Sequence, residues 1–409
     1  MLPTTRRGLL AAALAAPAIL HRPARAQGRT IRIALLTPLS GPWAYSGNLE
    51  RIGTVLAVED VNKAGGIKAL GGAKLELVIA DAGSSVDQVT AAAHRLVADA
   101  SLVAGIGVWL SSFTLAATEV TERAKLPWLT LSWADTITNR GFHYIIATSP
   151  PASKILLAAL EPLLGLAAKT VGKRPGTIGL INDDTAVSYA NMVPLRKGGL
   201  ERLQLKPVVD EIYTPPLSDA TPIIQKLRRA RPDLVLLGTT SVSDSRLLLQ
   251  TLTEFGLGQG KVPVLAPSAA WGTPAILKNL GARNLEGVIG IAGNWESRKQ
   301  AALNADLRRR SGEPWLVQDT LSCYGHVLLI ADALERAKST DRDAVMAALL
   351  ATDTSEGPAK LFLGGHIRFE KNGRRADAPP GVFQWKNGVP LTVLPEEDAF
   401  APLTWPRPA

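Results

Sequence analysis

Residues that build disulfides and metal sites are scarce in this sequence. Among its 409 residues there is one cysteine, Cys323, which excludes an intramolecular disulfide and a zinc site made of thiolates. The five histidines stand far apart in the chain and have none of the spacings typical of metal ligands. We therefore expect neither a metal site nor a cofactor.

Sequence motifs of the common enzyme classes are also missing. The chain has no G-x-S-x-G nucleophile elbow and no H-E-x-x-H zinc motif. Gly105-Ile106-Gly107 lacks the third glycine of a dinucleotide-binding turn, and the glycine-rich residues 256–261 have the wrong spacing for a phosphate loop. We predict that the chain has no catalytic residue and is not an enzyme.

Apolar runs long enough to span a membrane are absent beyond the amino terminus. Residues 1–26 combine Arg6 and Arg7, an apolar stretch at 8–20 and a small-x-small cleavage site at Ala24-Arg25-Ala26, which together predict an export signal. The apolar stretch is too short to cross a bilayer as a helix. The paired arginines favour a twin-arginine signal, and an ordinary secretory signal stays open. We expect cleavage near Ala26, no lipid anchor, and a location in the periplasm.

The net charge of +9 is partly a property of this export signal. Cleavage after Ala26 would remove four arginines and no acidic residue, which leaves +5 on 383 residues. That balance does not indicate a nucleic-acid partner. Hydrophobic residues at 46% and charged residues at 20% are typical of globular proteins, and the length predicts two lobes or domains.

Short apolar runs alternate with amphipathic stretches along most of the chain, which predicts strands followed by helices. A first series has helices at 46–62, 85–98 and 113–125 and strands at 31–36, 75–80, 102–108, 128–132 and 144–147. A second series has helices at 155–169, 189–203, 220–230 and 243–255 and strands at 177–181, 208–212, 234–237, 262–265 and 288–292. Two such series predict two α/β lobes with mostly parallel sheets.

The last quarter of the chain has a different pattern. Helices are predicted at 318–338 and 342–350, and short strands follow at 366–370, 382–385 and 391–394. Turns of the Lys-Asn-Gly type, at 371–373 and 386–388, separate these strands. A β-rich tail of this kind must return to complete one of the two lobes.

The loops that follow the predicted strands hold the most informative residues. Open α/β sheets bind ligands beyond the carboxyl ends of their strands, where these loops lie. The sequence has nine tryptophans but only seven phenylalanines and five tyrosines. Five tryptophans occupy such loops: Trp43, Trp109, Trp133, Trp271 and Trp295. We expect at least two of them to line a pocket.

Two serines form the best candidate anion site in the chain. Ser111 and Ser112 open a predicted helix directly after a buried strand. The first N–H groups of a helix attract anions, and serine hydroxyls complete the shell around a carboxylate. Serine at a helix start also caps the helix, which is the simpler interpretation for any one of these residues.

Several segments together resemble a known protein family. They are 38–42 (PLSGP), 57–67 (AVEDVNKAGGI), 105–107 with Ser111-Ser112, 233–238, Tyr324 with 333–337, and 356–358. Over residues 30–395 the chain is similar to the solute-binding proteins of branched-chain amino acid ABC transporters, the type I periplasmic binding proteins. The SGP and AGGI motifs at this spacing are the most specific part of the resemblance.

The resemblance implies two doubly wound, parallel-sheet lobes joined by three crossings, the segments where the chain passes from one lobe to the other. The lobes would rotate about this hinge and enclose the ligand. It assigns 27–150 and 293–368 to lobe 1 and 151–292 and 369–409 to lobe 2, with crossings near 149–151, 292–295 and 367–372. A ligand that touches both lobes favours the closed state. The implied partners are a small-molecule ligand and the permease subunits of an ABC transporter at the inner membrane, and we expect a monomer.

The predicted ligand-binding residues combine these loops with the positions implied by the resemblance. In the first lobe they are Trp43, Tyr45, Ser46, Trp109, Ser111, Ser112, Ser132 and Trp133. In the second lobe and its neighbourhood they are Tyr189, Thr240, Ser241, Ser268, Trp271 and Asp319.

Departures from the family pattern bear on the ligand. By resemblance, Ser111 helps to hold the ligand carboxylate, whereas the position of Ser268 is usually acidic and holds the ligand ammonium. Because a buried ammonium without a carboxylate partner is costly, we predict an aromatic or other hydrophobic carboxylate. Asp319, near the pocket by the same comparison, offers a replacement negative charge, which keeps amino acids and amides open.

Two other functions remain compatible with the same scaffold. A periplasmic sensor subunit would pass the closed state to a signalling partner rather than to a permease. An enzyme would use polar groups such as Asp135, Asp183 and Asp184, although acids at these places more simply cap helices or face solvent.

Overall fold

The computed structural model describes residues 30–405, so the predicted export signal lies outside the described residues. The first sheet and its helices come from the amino-terminal third of the chain. Their bounds are β1 (Thr30–Thr37), α1 (Ala44–Lys63), β2 (Lys74–Asp81), α2 (Val86–Val97), β3 (Leu102–Gly107), α3 (Ser111–Arg123), β4 (Trp128–Thr130), α4 (Thr136–Asn139) and β5 (Ile145–Ala147).

A second series of strands and helices follows at once. Its bounds are α5 (Ala152–Val171), β6 (Thr177–Asp183), α6 (Ala186–Pro194), α7 (Leu200–Arg202), β7 (Lys206–Tyr213), α8 (Thr221–Ala230), β8 (Leu234–Gly238), α9 (Val242–Glu254), β9 (Val264–Ala266), α10 (Pro274–Leu280), α11 (Ala282–Leu285) and β10 (Ile289–Ala292).

The remaining elements are three helices and two strand pairs. Their bounds are α12 (Ala301–Ser311), α13 (Gln318–Ala337), α14 (Arg342–Leu350), β11 (Asp353–Thr354), β12 (Ile367–Arg368), β13 (Gly381–Lys386) and β14 (Val389–Leu394).

The two series form separate sheets, as the alternation of apolar runs predicts. The first sheet is parallel throughout, in the order β2-β1-β3-β4-β5. The second has the order β14-β13-β10-β9-β8-β6-β7, in which β13 and β14 are antiparallel and the other strands are parallel. The β-rich tail therefore completes the second sheet, whereas β11 and β12 pair with each other apart from both.

Each sheet is covered by apolar side chains on both faces, which explains why its central strands are continuous apolar runs. All residues of β3 and β8 are buried. Two core clusters lie on the faces of the first sheet and two on the faces of the second. On the first sheet α13 packs along α1, so a helix from the last quarter of the chain belongs to the amino-terminal lobe.

The structure corrects one prediction of local structure and adds a helix that was not predicted. The continuous helix predicted at 189–203 is wrong: α6 ends at Pro194, and Lys197 and Gly198 have non-helical backbone angles before the short α7. Proline has no backbone N–H to donate to the helical hydrogen bonds, and Gly198 adopts a positive φ of 90°. Both interrupt the run of backbone hydrogen bonds that a continuous helix requires. The helix at Ala301–Ser311 was not predicted, because few of its residues are apolar and only Asn304 and Leu307 are buried.

The three segments that connect the two sheets are bonded to the first lobe. Ala147, at the end of β5, pairs with Arg374 through a parallel bridge and exchanges backbone hydrogen bonds with Gly373 and Arg375. Gly293, directly after β10, donates its N–H to the side chain of Gln318 at the start of α13. The segment from Asn294 to Arg298 still contacts the second lobe, since Trp295 stacks on Phe383 with ring centroids 4.2 Å apart.

Candidate ligand-binding cleft

Side chains near the carboxyl ends of the first sheet's strands contact the second lobe. Leu49 of α1 packs into the core of the second lobe, and Trp133 packs against both clusters of that lobe. The hydroxyl of Tyr45 lies close to the Glu313 carboxyl and to the backbone of Ala275 in the first turn of α10, and burial, followed by the charge of Glu313, raises its pKa well above the ordinary value. Tyr45 of the first lobe therefore lies against the start of a helix in the opposite lobe.

Two tryptophans of the first lobe form an edge-to-face pair in this region. The rings of Trp43 and Trp109 have centroids 5.6 Å apart at an interplanar angle of 79°. Trp43 is exposed, whereas Trp109 packs on the first core and its indole N–H is buried without a hydrogen-bond partner. The pair presents a flat apolar face together with an unused donor.

Ser111 links two of the predicted pocket loops. Its hydroxyl oxygen accepts the N–H of Ala134 at 3.3 Å, so the loop after β3 and the loop after β4 are bonded to each other. The Ser111 hydroxyl hydrogen stays available to an acceptor, as do the first N–H groups of α3, a helix of 13 residues. Ser112 is exposed beside it, and Ser46 is half-buried in α1.

Trp133 is a second indole with an unused donor. Its ring is half-buried between the lobes, and its N–H is buried without a hydrogen-bond partner. A buried polar hydrogen without an acceptor is uncommon in folded proteins and marks a place where a further group would be accommodated. Trp109 and Trp133 therefore stand out from Trp128, Trp315 and Trp385, whose indole N–H groups all donate to backbone carbonyls.

The hydroxyl of Ser132 is used inside the protein. It donates to the carbonyl oxygen of Val108 or Trp109, each 2.8 Å away, and lies 2.6 Å from the hydroxyl of Thr114. The side chain is fully buried in this network. Ser132 thus fixes the shape of the loop instead of presenting its hydroxyl to the space between the lobes.

In the second lobe the structure places the predicted hydroxyl residues in caps and loop anchors. Ser241 accepts the N–H of Asp244 at the start of α9, and Ser268 accepts the N–H of Ala270. Thr240 donates both its N–H and its hydroxyl to the buried carboxylate of Asp183. Asp183 also accepts from Thr185, so this carboxylate holds two strand-end loops together.

Two of the five loop tryptophans lie in the second core. Trp271 is 3% exposed, and Trp295 is stacked inside the same core. The predicted pocket position of Trp271 is therefore corrected, because its ring stabilises the second lobe from within, whereas Trp133 lies at the contact between the lobes and Trp43 pairs with Trp109 on the first lobe. Tyr189, the predicted second-lobe aromatic, is 49% exposed on α6.

A pair of buried carboxyls lies beneath the cleft. Asp319, in the first turn of α13, is buried, and burial raises its pKa to about 7. Burial, followed by the neighbouring Asp319 carboxyl, raises the pKa of Glu50 well above its usual range, although Glu50 accepts the hydroxyl of Thr37. Sequence reasoning missed Glu50; the available signal was its position on a helix face shared with small buried residues such as Gly53 and Ala57.

Within residues 30–405, no group of three or more histidine, cysteine or acidic side chains has the arrangement of a metal site. No helix in that part of the chain combines the length and apolarity needed to cross a bilayer.

Known proteins resemble this chain over most of its length. The periplasmic binding protein family model matches residues 30–389. The chain is 27% identical to "Leu/Ile/Val-binding protein homolog 8" of Brucella melitensis biotype 1 and 28% identical to "Leu/Ile/Val-binding protein homolog 7" of Brucella suis biovar 1. These matches cover 92% of this chain in both cases and 93% and 94% of the relatives.

Solved structures extend the similarity to the fold. A putative branched-chain amino acid ABC transporter from Silicibacter pomeroyi superposes with a TM-score of 0.78 at 19% identity, covering 92% of this chain and 99% of that protein. A leucine binding protein from Thermotoga maritima MSB8 superposes with a TM-score of 0.70 at 19% identity, covering 88% and 97%. With two parallel-sheet lobes, three connecting segments and a family match over most of its length, the chain belongs to the periplasmic binding protein family.

Proposed function

We propose that this protein is the solute-binding component of an ABC import system. It captures a small carboxylate-bearing ligand between its lobes and delivers it to permease subunits at the inner membrane. One observation carries the proposal: Trp133, in a strand-end loop of the first lobe, packs against the second lobe, and Trp109 and Trp133 keep buried indole N–H groups without a hydrogen-bond partner near Ser111. A ligand accepting these donors would bridge the lobes and favour closure.

An aromatic or other hydrophobic carboxylate is the proposed ligand. A carboxylate accepts hydrogen bonds and would suit the indole donors, the Ser111 hydroxyl and the start of α3. The Trp43–Trp109 pair offers an apolar face for the body of the molecule. Ser268, at the position where an acid would hold an ammonium, caps a short helical turn instead.

An amino acid is the competing ligand, because the Asp319 carboxyl could hold its ammonium group. Relatives and neighbours are named as Leu/Ile/Val-binding or leucine-binding proteins. An ammonium group beside Asp319 would favour its charged form, which burial alone disfavours. In that case Asp319 would replace the missing second-lobe acid.

Calorimetric titration with benzoate and with leucine distinguishes these ligands. We expect benzoate to bind, and we expect Asp319→Asn to retain that binding because no ammonium is involved. Ser111→Ala should weaken benzoate binding, since it removes a donor to the carboxylate. Tight leucine binding that Asp319→Asn abolishes, with no response to benzoate, would overturn the aromatic-acid proposal and leave the import role in place.

The cellular part of the proposal is a periplasmic protein that works with a permease. Its support is the family match over residues 30–389 together with the export signal predicted at 1–26. Mass spectrometry of the protein purified from a periplasmic fraction should give an amino terminus near Gln27. A full-length chain retained in the cytoplasm would contradict this assignment.

A further inference from the structure

We propose that Arg374 is a positioning residue for closure: from the third crossing it holds the loop at 132–135, which joins the ligand site of the first lobe to helix α5 of the second. Arg374 donates no hydrogen bond to a side chain that is proposed to meet the ligand. Its effect passes through backbone carbonyls of this loop, here called the cleft loop.

The guanidinium of Arg374 is 3% exposed and donates to several carbonyl groups at once. It reaches the carbonyl oxygens of Ser132 at 3.1 Å, Ala134 at 2.8 Å and Ser149 at 3.2 Å. A further hydrogen bond goes to the hydroxyl of Thr138 at 3.3 Å. One planar, permanently charged side chain therefore joins the cleft loop to the first crossing, where Ser149 lies.

The cleft loop is in turn bonded to the start of α5, the first helix of the second lobe. The N–H of Ala152 donates to the carbonyl oxygen of Trp133 at 2.7 Å. Both the N–H and the hydroxyl of Ser153 donate to the carboxylate of Asp135, at 3.0 and 2.5 Å. Asp135 thus supplies a negative charge and two acceptors to a helix start that has no cap of its own.

The same loop carries the groups proposed to meet the ligand. The N–H of Ala134 donates to Ser111, and Trp133 lies between the lobes with its indole N–H unused. A shift of this loop therefore moves the anion site and the start of α5 together. Fixing the loop carbonyls through Arg374 lowers the conformational freedom that ligand binding and closure must otherwise remove.

The neighbouring Arg375 provides a matched control. It is 2% exposed and also donates to carbonyl oxygens, those of Leu363 at 2.7 Å and of His366 at 2.6 Å. Neither carbonyl belongs to the cleft loop. Replacing either arginine removes a buried charge and its hydrogen bonds, but only Arg374 acts on 132–135.

Hydrogen exchange measured by mass spectrometry on the ligand-free protein tests the proposal. In Arg374→Gln, peptides covering 132–135 and 152–154 should exchange faster than in the wild type, and in Arg374→Lys by a smaller amount. In Arg375→Gln these peptides should exchange at the wild-type rate, although both glutamine variants lose thermal stability. Faster exchange of the same peptides in Arg375→Gln, or wild-type exchange in Arg374→Gln, would overturn the proposal.

Two further measurements keep the test independent of folding yield and of the ligand proposal. If Arg374→Gln does not fold, Ser153→Ala removes one bond on the other side of the loop and should speed exchange at 132–135.

The consequence for binding rests on the proposed function: Arg374→Lys should bind benzoate or leucine, whichever binds the wild type, about tenfold more weakly. Should neither bind the wild type, the proposed function fails and the exchange result stands.

Discussion

At the scale of single residues, the buried carboxyl of Asp319 makes stability depend on pH. Burial raises its pKa from an ordinary 3.8 to about 7, so the folded protein holds a proton that the unfolded chain has released. The stability contributed by the protonated form is complete below about pH 3.8 and is lost as pH rises through about 7. A backbone hydrogen bond lowers the pKa only in part, and a ligand cation beside Asp319 would favour its charged form.

Asp319→Asn should therefore remove this pH dependence. Between pH 4 and pH 8, the unfolding free energy of the variant should rise relative to that of the wild type. The rise should be about 4 kcal/mol at most, because each unit of pKa shift corresponds to about 1.4 kcal/mol. Buried His326, whose pKa burial lowers to about 3, works in the opposite direction and is common to both proteins. Thermal unfolding at several pH values measures the difference; a difference independent of pH would contradict the assignment.

The candidate site was only partly predictable from residue types. Ser111, Trp43 and Trp109 were predicted because polar or aromatic residues in the loop that follows an apolar strand indicate a cleft position. The same signal gave Ser132 and Trp271, since sequence alone does not reveal whether a loop side chain turns outward or into the protein. In both cases the side chain completes internal packing: Ser132 a hydroxyl network and Trp271 the second core.

At the scale of elements, the contact between α1 and α13 depends on a glycine. A Cβ at Gly53 would lie 2.1 Å from the carbonyl oxygen of Thr320, so the two helices approach more closely than any side chain permits. Gly165, within α5, has no heavy atom within 4 Å of the same position. The two glycines are therefore a matched pair, one required by packing and one not.

Gly53→Ala should destabilise the protein and Gly165→Ala should not. Overpacking of this kind costs about 1–3 kcal/mol, whereas alanine in an open helix position adds up to about 1 kcal/mol of stability. Urea unfolding of both variants against the wild type gives the comparison. Equal stability of the two variants would show that α1 and α13 can separate without cost.

Most elements followed from apolar periodicity, and the exceptions have physical causes. Strands such as β3 and β8 are buried on both faces, so their sequences are apolar throughout and easily read. Helix α12 buries few side chains and has almost no apolar stripe, so no periodic signal marks it. Pairing between distant segments, such as Ala147 with Arg374, leaves no local trace at all.

At the scale of the whole molecule, ligand binding should make the protein more compact. The contact between Tyr45 and the start of α10, and the position of Trp133, describe lobes in contact. Small-angle X-ray scattering should give a larger radius of gyration without ligand than with saturating benzoate or leucine. Ligand at a hundred times its dissociation constant should also raise stability by about 2.7 kcal/mol. An unchanged radius together with tight binding would contradict closure.

The way the second sheet is completed has a consequence for folding. Strands β1 to β5 are contiguous in the chain, although α13, which packs on α1, arrives much later. The second sheet gains its antiparallel edge from residues 381–394, and β13 begins about ninety residues after the end of β10. Neither lobe can therefore bury its full core while the chain is still emerging from the ribosome. Contacts over such long sequence separations slow folding, which leaves the newly made chain open to chaperones.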